Sequence, residues 1–287
     1  MSFPFSRNKI TKNTFFAHAK LTLSRLKNVT RVKYSMKKMY FGIASDEGAI
    51  EKNDGCKKAP EFLLDLFKVK GELFSTNGEI EEKHEQIYLQ AKNVFKNTPA
   101  GLVPVFFGGT HDITGFVVKA FSEKYEDAKL LIYDAHADCE DALSITTHED
   151  FVRMLIENNI IEPENLMIVG LRKVSDIEKE FLKKHKIKHF YFEELNESFH
   201  VFTKIIEAFV KRGKLYVSFD VDMLDSKIMQ ATGYFPDLGF SKEQTKELLD
   251  IAIPRARALD VVEFNPEKVT LNEDKLLFDL FNKYFKQ

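Results

Sequence analysis

The chain of 287 residues has no tryptophan, two cysteines and no apolar run long enough to span a membrane as a helix. Cys56 and Cys139 are too few for a disulfide framework, which excludes the stapled secreted scaffolds and suits a reducing compartment. Repeats and low-complexity linkers are also missing, which favours one large domain over a string of modules. Acid is absent from one end. Residues 1–38 carry ten Lys/Arg and no Asp or Glu, and the remainder holds 32 basic against 44 acidic side chains. An acid-free basic start fits an organelle transit peptide or a nucleic-acid-binding arm. Lys outnumbers Arg there, however, and Phe15, Phe16, Leu21, Leu23 and Leu26 can pack as a helix. The preferred reading is a basic N-terminal arm over residues 1–38 covering a sheet edge or a subunit contact. Residues 39–287 then form a single catalytic domain. The expected protein is cytoplasmic, with organelle targeting as the alternative, and binds neither nucleic acid nor membrane.

What is present is an alternation of strand and helix. The composition, 44% hydrophobic and 30% charged, can bury a large α/β core. Strands are expected at Met39–Ala44, Glu72–Ser75, Leu102–Gly108, Lys129–Tyr133, Leu166–Gly170, Lys188–Phe192, Lys214–Val217 and Ala258–Val262. Helices are expected at Glu81–Phe95, Asp112–Tyr125, His148–Asn158, Asp176–His185, Phe199–Lys211, Ser241–Ile253 and Thr270–Phe285. Ser241 with Gln244 three residues on reads as a capping box.

Three of those strands end in candidate metal ligands. Asp134-Ala-His136-Ala-Asp138 follows one, Ser218-Phe-Asp220-Val-Asp222 a second, and Gly108-Gly-Thr-His111-Asp112 a third. Ligands bind outside the carboxyl ends of strands in open α/β sheets, and the Gly-Gly step lets backbone close round a bound ion. Four carboxylates and two imidazoles are the wrong set for structural zinc, which takes thiolates. They suit Mn²⁺, with Fe²⁺, Co²⁺ or Zn²⁺ as substitutes. Six ligands exceed the need of one open catalytic ion and suffice for two that share carboxylates, roughly 3.5–4 Å apart. Asp112 and Asp225 read as turn and helix-start residues, and Cys139 as a non-ligating thiol.

These motifs, with Asp260-Val-Val-Glu263-Phe-Asn-Pro266, resemble those of the ureohydrolases: arginase, agmatinase, guanidinobutyrase and formimidoylglutamase. The resemblance covers roughly residues 40–270. It implies an α/β fold, an arginase-like three-layer sandwich with a mainly parallel eight-stranded sheet. It also implies two Mn²⁺ ions, a small-molecule amidine or guanidine substrate, and a homo-oligomer, trimer or hexamer. By the family's arrangement His111 and Asp138 belong to one ion, His136 and Asp222 to the other, and Asp134 and Asp220 bridge. A metal-held hydroxide then attacks the amidino carbon, His148 protonates the departing nitrogen, and Glu263 lies beside the cationic amidine. Each has a plainer role as well: His148 can cap or pack the helix that follows it, and Glu263 can be an ordinary strand-end acid.

Departures from the pattern bear on the substrate. Thr110, Asp46-Glu-Gly48, Asn53 and Gly55 are closer to the formimidoylglutamase version of the motifs. Ser175 stands where arginases have an acid that reads the substrate's ammonium group, and the loop Cys139–Thr147 is shorter than theirs. Tyr234 and Phe235 bring two rings to the pocket mouth. Formimidoylglutamate therefore ranks ahead of agmatine, guanidinobutyrate and arginine. Two rival classes stay open: a catalytically silent, metal-containing regulatory or binding subunit, and a single-zinc deacetylase.

Overall fold

Strands buried on both faces must be apolar throughout, because helices cover them from either side. In a computed structural model of the chain, which describes residues 37–285, eight strands form one all-parallel sheet in the order β2-β1-β3-β8-β7-β4-β5-β6; the inner strands follow that rule, while the edge strands β2 and β6 are exposed or half-buried. They are β1 (Lys37–Ile43), β2 (Gly71–Leu73), β3 (Leu102–Gly108), β4 (Ala128–Tyr133), β5 (Leu166–Leu171), β6 (Lys188–Tyr191), β7 (Lys214–Asp220) and β8 (Ala256–Val262). Apart from Lys37 and Lys38, which open β1, the basic arm expected over 1–38 lies outside the described residues.

The two faces of the inner strands feed two separate cores. On β3, Val103, Val105 and Phe107 point to one and Phe106 to the other; on β4, Leu131 and Tyr133 oppose Leu130 and Ile132. The first core is closed by α1 (Ala59–Phe67), α6 (Phe192–Glu197), α7 (Phe199–Val210), α8 (Lys242–Ala252) and α9 (Glu273–Phe285). The second is closed by α2 (Ile80–Asn97), α3 (Asp112–Lys124), α4 (Phe151–Glu157) and α5 (Asp176–His185). Phenylalanine supplies much of the packing where tryptophan is missing: Phe67 meets Phe285 edge-on at 4.9 Å, and Phe281 meets Phe219 at 5.0 Å.

Most expected elements occur within a few residues of their predicted bounds, and the Ser241/Gln244 capping box forms. Two helices start later than the pattern suggests. Thr270 precedes α9 by three residues. His148 precedes α4 by three residues, because Asp150 takes the N-cap position and its carboxylate accepts the Thr147 N–H. Helix α1 had no counterpart in the sequence reading. Pro60 occupies its first turn, where a missing N–H costs nothing.

The strand order places the site. After β3 the chain leaves two positions vacant, builds β4, β5 and β6 outward, and returns to fill the gap with β7 and β8. The carboxyl ends of β3, β8, β7 and β4 therefore lie side by side at the topological switch point. Register adds a detail: Asp260 of β8 sits between Phe106 of β3 and Ser218 of β7.

Candidate metal centre

Asp134 and Asp220 use their two carboxylate oxygens differently. One oxygen of each folds back on its own backbone: Asp134 Oδ1 accepts the His136 N–H at 2.6 Å, and Asp220 Oδ1 accepts the Asp222 N–H at 2.7 Å. This Asx turn fixes the Asp-x-His and Asp-x-Asp spacings and leaves each Oδ2 for the centre. Around His111 Nδ1 stand Asp134 Oδ2 at 3.0 Å, Asp138 Oδ2 at 3.1 Å and Asp220 Oδ2 at 3.3 Å. Beside them, His136 Nδ1 lies 2.8 Å from Asp222 Oδ2 and 3.6 Å from Asp134 Oδ1. Two groups able to hold a cation result, His111/Asp134/Asp138 and Asp134/His136/Asp222, and Asp134 belongs to both. The first is buried; His136 is a quarter exposed, which puts the second group nearer solvent.

These donors fit a divalent ion. Ligand bonds of about 2.1 Å at right angles put neighbouring donor atoms about 3 Å apart, the spacing found around His111. His111 Nδ1 and Asp134 Oδ2 are buried without a well-formed hydrogen bond to any described residue, although they are 3.0 Å apart. Electrostatics agrees. Burial, then the charge of Asp134, pushes Asp138 up to about 8, and burial with Asp222 and Asp134 pushes Asp220 well above the carboxylate range. Burial alone would lower both imidazoles. The surrounding carboxylates outweigh it and hold His111 and His136 well above their ordinary value. Protons thus fill the cluster when no cation does, and a cation would displace them.

A second layer fixes the imidazole of His111. Asp260, buried in β8, accepts hydrogen bonds from Thr114 Oγ1 (2.8 Å), the Tyr216 hydroxyl (2.8 Å) and Ser218 Oγ (2.7 Å). The one proton of Ser218 goes to Asp260, so its oxygen accepts from His111 Nε2–H at 2.9 Å and Nδ1 is left to the carboxylates. On the other side, Arg172 donates to the carbonyls of Asp222 and Met223, and Ala135 N–H donates to Asp222 Oδ1 at 3.0 Å.

Glu263 is tied into the same frame. Its Oε1 accepts the His111 N–H at 2.7 Å and Thr110 Oγ1 at 3.1 Å and lies 3.3 Å from His148 Nδ1; Oε2 accepts from Asn53 Nδ2 at 2.8 Å. Burial raises its pKa, but His148 and the other donors outweigh that and hold it at about 2. Both oxygens are therefore engaged in joining the β3 and β8 exits to the loop around Asn53. Asp138 and Glu263 both have left-handed backbone, φ 50° and 62°, a strained conformation for such residues that often accompanies functional sites. His148 lines the cavity above the cluster, its Nε2 buried and unpartnered among the described residues.

The Gly-Gly step works otherwise than expected. A Cβ on Gly109 would meet the carbonyl oxygen of Ser45 at 1.8 Å, so the glycine makes room for the neighbouring β1 exit rather than for an ion. Asp112 starts α3 and pairs with His84 at 2.7 Å; Asp225 caps a turn through Lys227 N–H. The Cys139 thiol points to the Glu178 carbonyl at 3.9 Å, away from the ligand groups. Sequence reading gave no role to Asp260, Thr114, Tyr216, Arg172 or Lys173. For Asp260 a signal existed: an acid within the apolar run Ala258–Val262 must be buried, and a buried acid must be paired.

An uncharacterized 32.2 kDa protein of Methanothermus fervidus is 25% identical over 224 residues, 76% of this chain and 73% of its own length. An arginase of Staphylococcus aureus strain COL is 29% identical over 182 residues, 57% of this chain; the match spans only 60% of the arginase's length. The formimidoylglutamase of Bacillus subtilis has the same fold at a TM-score of 0.80, with 17% identity over 96% of this chain and 98% of its own. The arginase family model matches residues 41–277, most of the chain and every strand end described above. The chain belongs to the arginase family.

Proposed function

We propose that this protein is a metal-dependent hydrolase of linear amidines or guanidines, cleaving a carbon–nitrogen bond other than a peptide bond. The observation that carries this reading is the sharing of Asp134 between two imidazole-carboxylate groups at the switch point of the sheet. One shared carboxylate is what a pair of ions requires. His111, Asp138 and Asp220 would hold one ion, His136 and Asp222 the other, with Asp134 and Asp220 between them. Oxygen-rich donors with some imidazole favour Mn²⁺ over the softer choices. When bound, the pair supplies Lewis acidity and a water acidic enough to attack near neutral pH.

The chain's own residues do the rest. Glu263, anionic and fully hydrogen-bonded, holds His148 by its Nδ1 and leaves Nε2 to pass a proton to the departing nitrogen. The cavity above the cluster, about 390 Å³, suits a small molecule. Formimidoylglutamate heads the substrates, followed by agmatine, guanidinobutyrate and arginine, on the strength of Thr110 and the Asp46–Gly55 stretch. A homo-oligomer in the cytoplasm belongs to the same reading.

The test is an activity screen of the Mn²⁺-loaded protein against these compounds, with metal counted per chain. Release of formamide, ammonia or urea with two ions per chain is expected. One ion per chain with deacetylation would instead support the zinc deacetylase. Two ions with no turnover of any amidine would support the silent binding subunit.

A further inference from the structure

Charges line the cavity, and most are neutralised within it. Glu149 pairs with Lys52 at the mouth, Glu263 pairs with His148, and Glu178 accepts the N–H groups of Ser175 (2.9 Å) and Cys139 (3.3 Å). Lys173 differs. Among the described residues it has no carboxylate partner; its Nζ donates to the Tyr234 hydroxyl at 2.7 Å and lies 4.6 Å from that ring's centroid. Both residues line the cavity, and the Tyr234 ring lies 5.7 Å from the ring of His136. A cation is thereby held at a set place beside the outer ligand group. The same wall carries the N-terminus of α5, where Ser175 is the N-cap and Glu178 closes the capping box. Because the lysine already rests on a ring and a hydroxyl, an arriving anion has little side-chain freedom left to freeze.

We infer that Lys173, steadied by Tyr234, is the specificity-determining residue for the end of the substrate remote from the ligand cluster, and that it takes a carboxylate there. The inference rests on the amidine-hydrolase reading and narrows it: the substrate is an amidine or guanidine with a carboxylate tail, not one ending in an amine. Glu140, a cavity-lining acid with no side-chain partner among the described residues, is the group that would favour an amine.

The test is equilibrium binding by calorimetry to the Mn²⁺-loaded protein, using guanidinobutyrate and agmatine. These share a guanidine and a similar chain length but carry opposite tail charges. Wild type should bind guanidinobutyrate about tenfold more tightly, the order expected of one charge pair at a half-solvated rim. Lys173→Met should lose that factor for guanidinobutyrate and leave agmatine unchanged. Lys173→Arg should restore most of it, Lys173→Glu should invert the preference, and Tyr234→Phe should cost a smaller factor. The assignment is overturned if wild type binds neither compound, binds agmatine equally or better, or if Lys173→Met weakens both alike. A preference for agmatine abolished by Glu140→Gln would transfer the role to Glu140. Turnover measured alongside separates the two readings. Charge-selective binding without any product sinks the hydrolase and leaves Lys173 its role, whereas turnover of both compounds without charge preference does the reverse.

Discussion

Replacing Asp260 with asparagine tests whether the imidazole of His111 is set by a chain of hydrogen bonds rather than by packing alone. Asp260 accepts from three hydroxyls and donates to none. An asparagine of the same shape can keep its oxygen toward Thr114 and Tyr216, but its amide then faces Ser218. Ser218 must accept from that amide, and its own proton turns to His111 Nε2. The imidazole is driven to carry its proton on Nδ1, the atom surrounded by Asp134, Asp138 and Asp220. Residues that orient a metal-ligating histidine typically contribute about 10–100-fold in affinity, or about 1.4–2.7 kcal/mol. Calorimetric titration of Mn²⁺ into metal-free protein should show that loss for one of two binding steps and leave the other within a few-fold. Ser218→Ala should act in the same direction. Asp260→Ala is a poorer probe, since three buried hydroxyls lose their acceptor at about 1–3 kcal/mol each and the fold suffers. Wild-type affinity at both steps in a folded Asp260→Asn protein would show the relay to be idle.

His136→Ala should remove one ion per chain and nearly all turnover; wild-type-like turnover would refute the ligand assignment. His148→Asn should keep both ions yet lower turnover by about 10²–10⁴-fold, so a fall in metal content instead would mark it as structural. Because His111 and His136 hold protons well above their ordinary value of 6.5, a cation must displace them. Mn²⁺ affinity should therefore tighten as pH rises through neutrality, with protons released into the buffer, and pH-independent binding contradicts the account. Glu263, held at about 2 against an ordinary 4.5, contributes stability present above 4.5 and lost as pH falls toward 2. Glu263→Gln should therefore flatten the acid limb of the unfolding curve of the metal-free protein, and an unchanged limb counts against the pairing. Gly109→Ala should cost about 2–3 kcal/mol by overpacking, lowering Tm by about 3–5 °C, whereas an unchanged Tm would show that the Ser45 carbonyl moves aside.

The amino-acid sequence by itself determined the strand–helix alternation, the largely apolar inner strands of a covered parallel sheet, and the candidate ligands at three strand ends. Those are local signals: side-chain period, turn residues and acids placed after hydrophobic runs all act within a few positions. It also carried Glu263 and His148 as members of motifs, but not their contact with each other. Only the tertiary structure decided that β7 and β8 return to the gap between β3 and β4, since strand order depends on which faces can be covered by helices. That return brings Ser218 opposite Asp260 and makes Asp134 common to two groups. It likewise decided that Gly109 accommodates the Ser45 carbonyl and that Lys173 rests on Tyr234, 61 positions away. Such pairings between distant residues are set by packing and buried charge, which no stretch of sequence records.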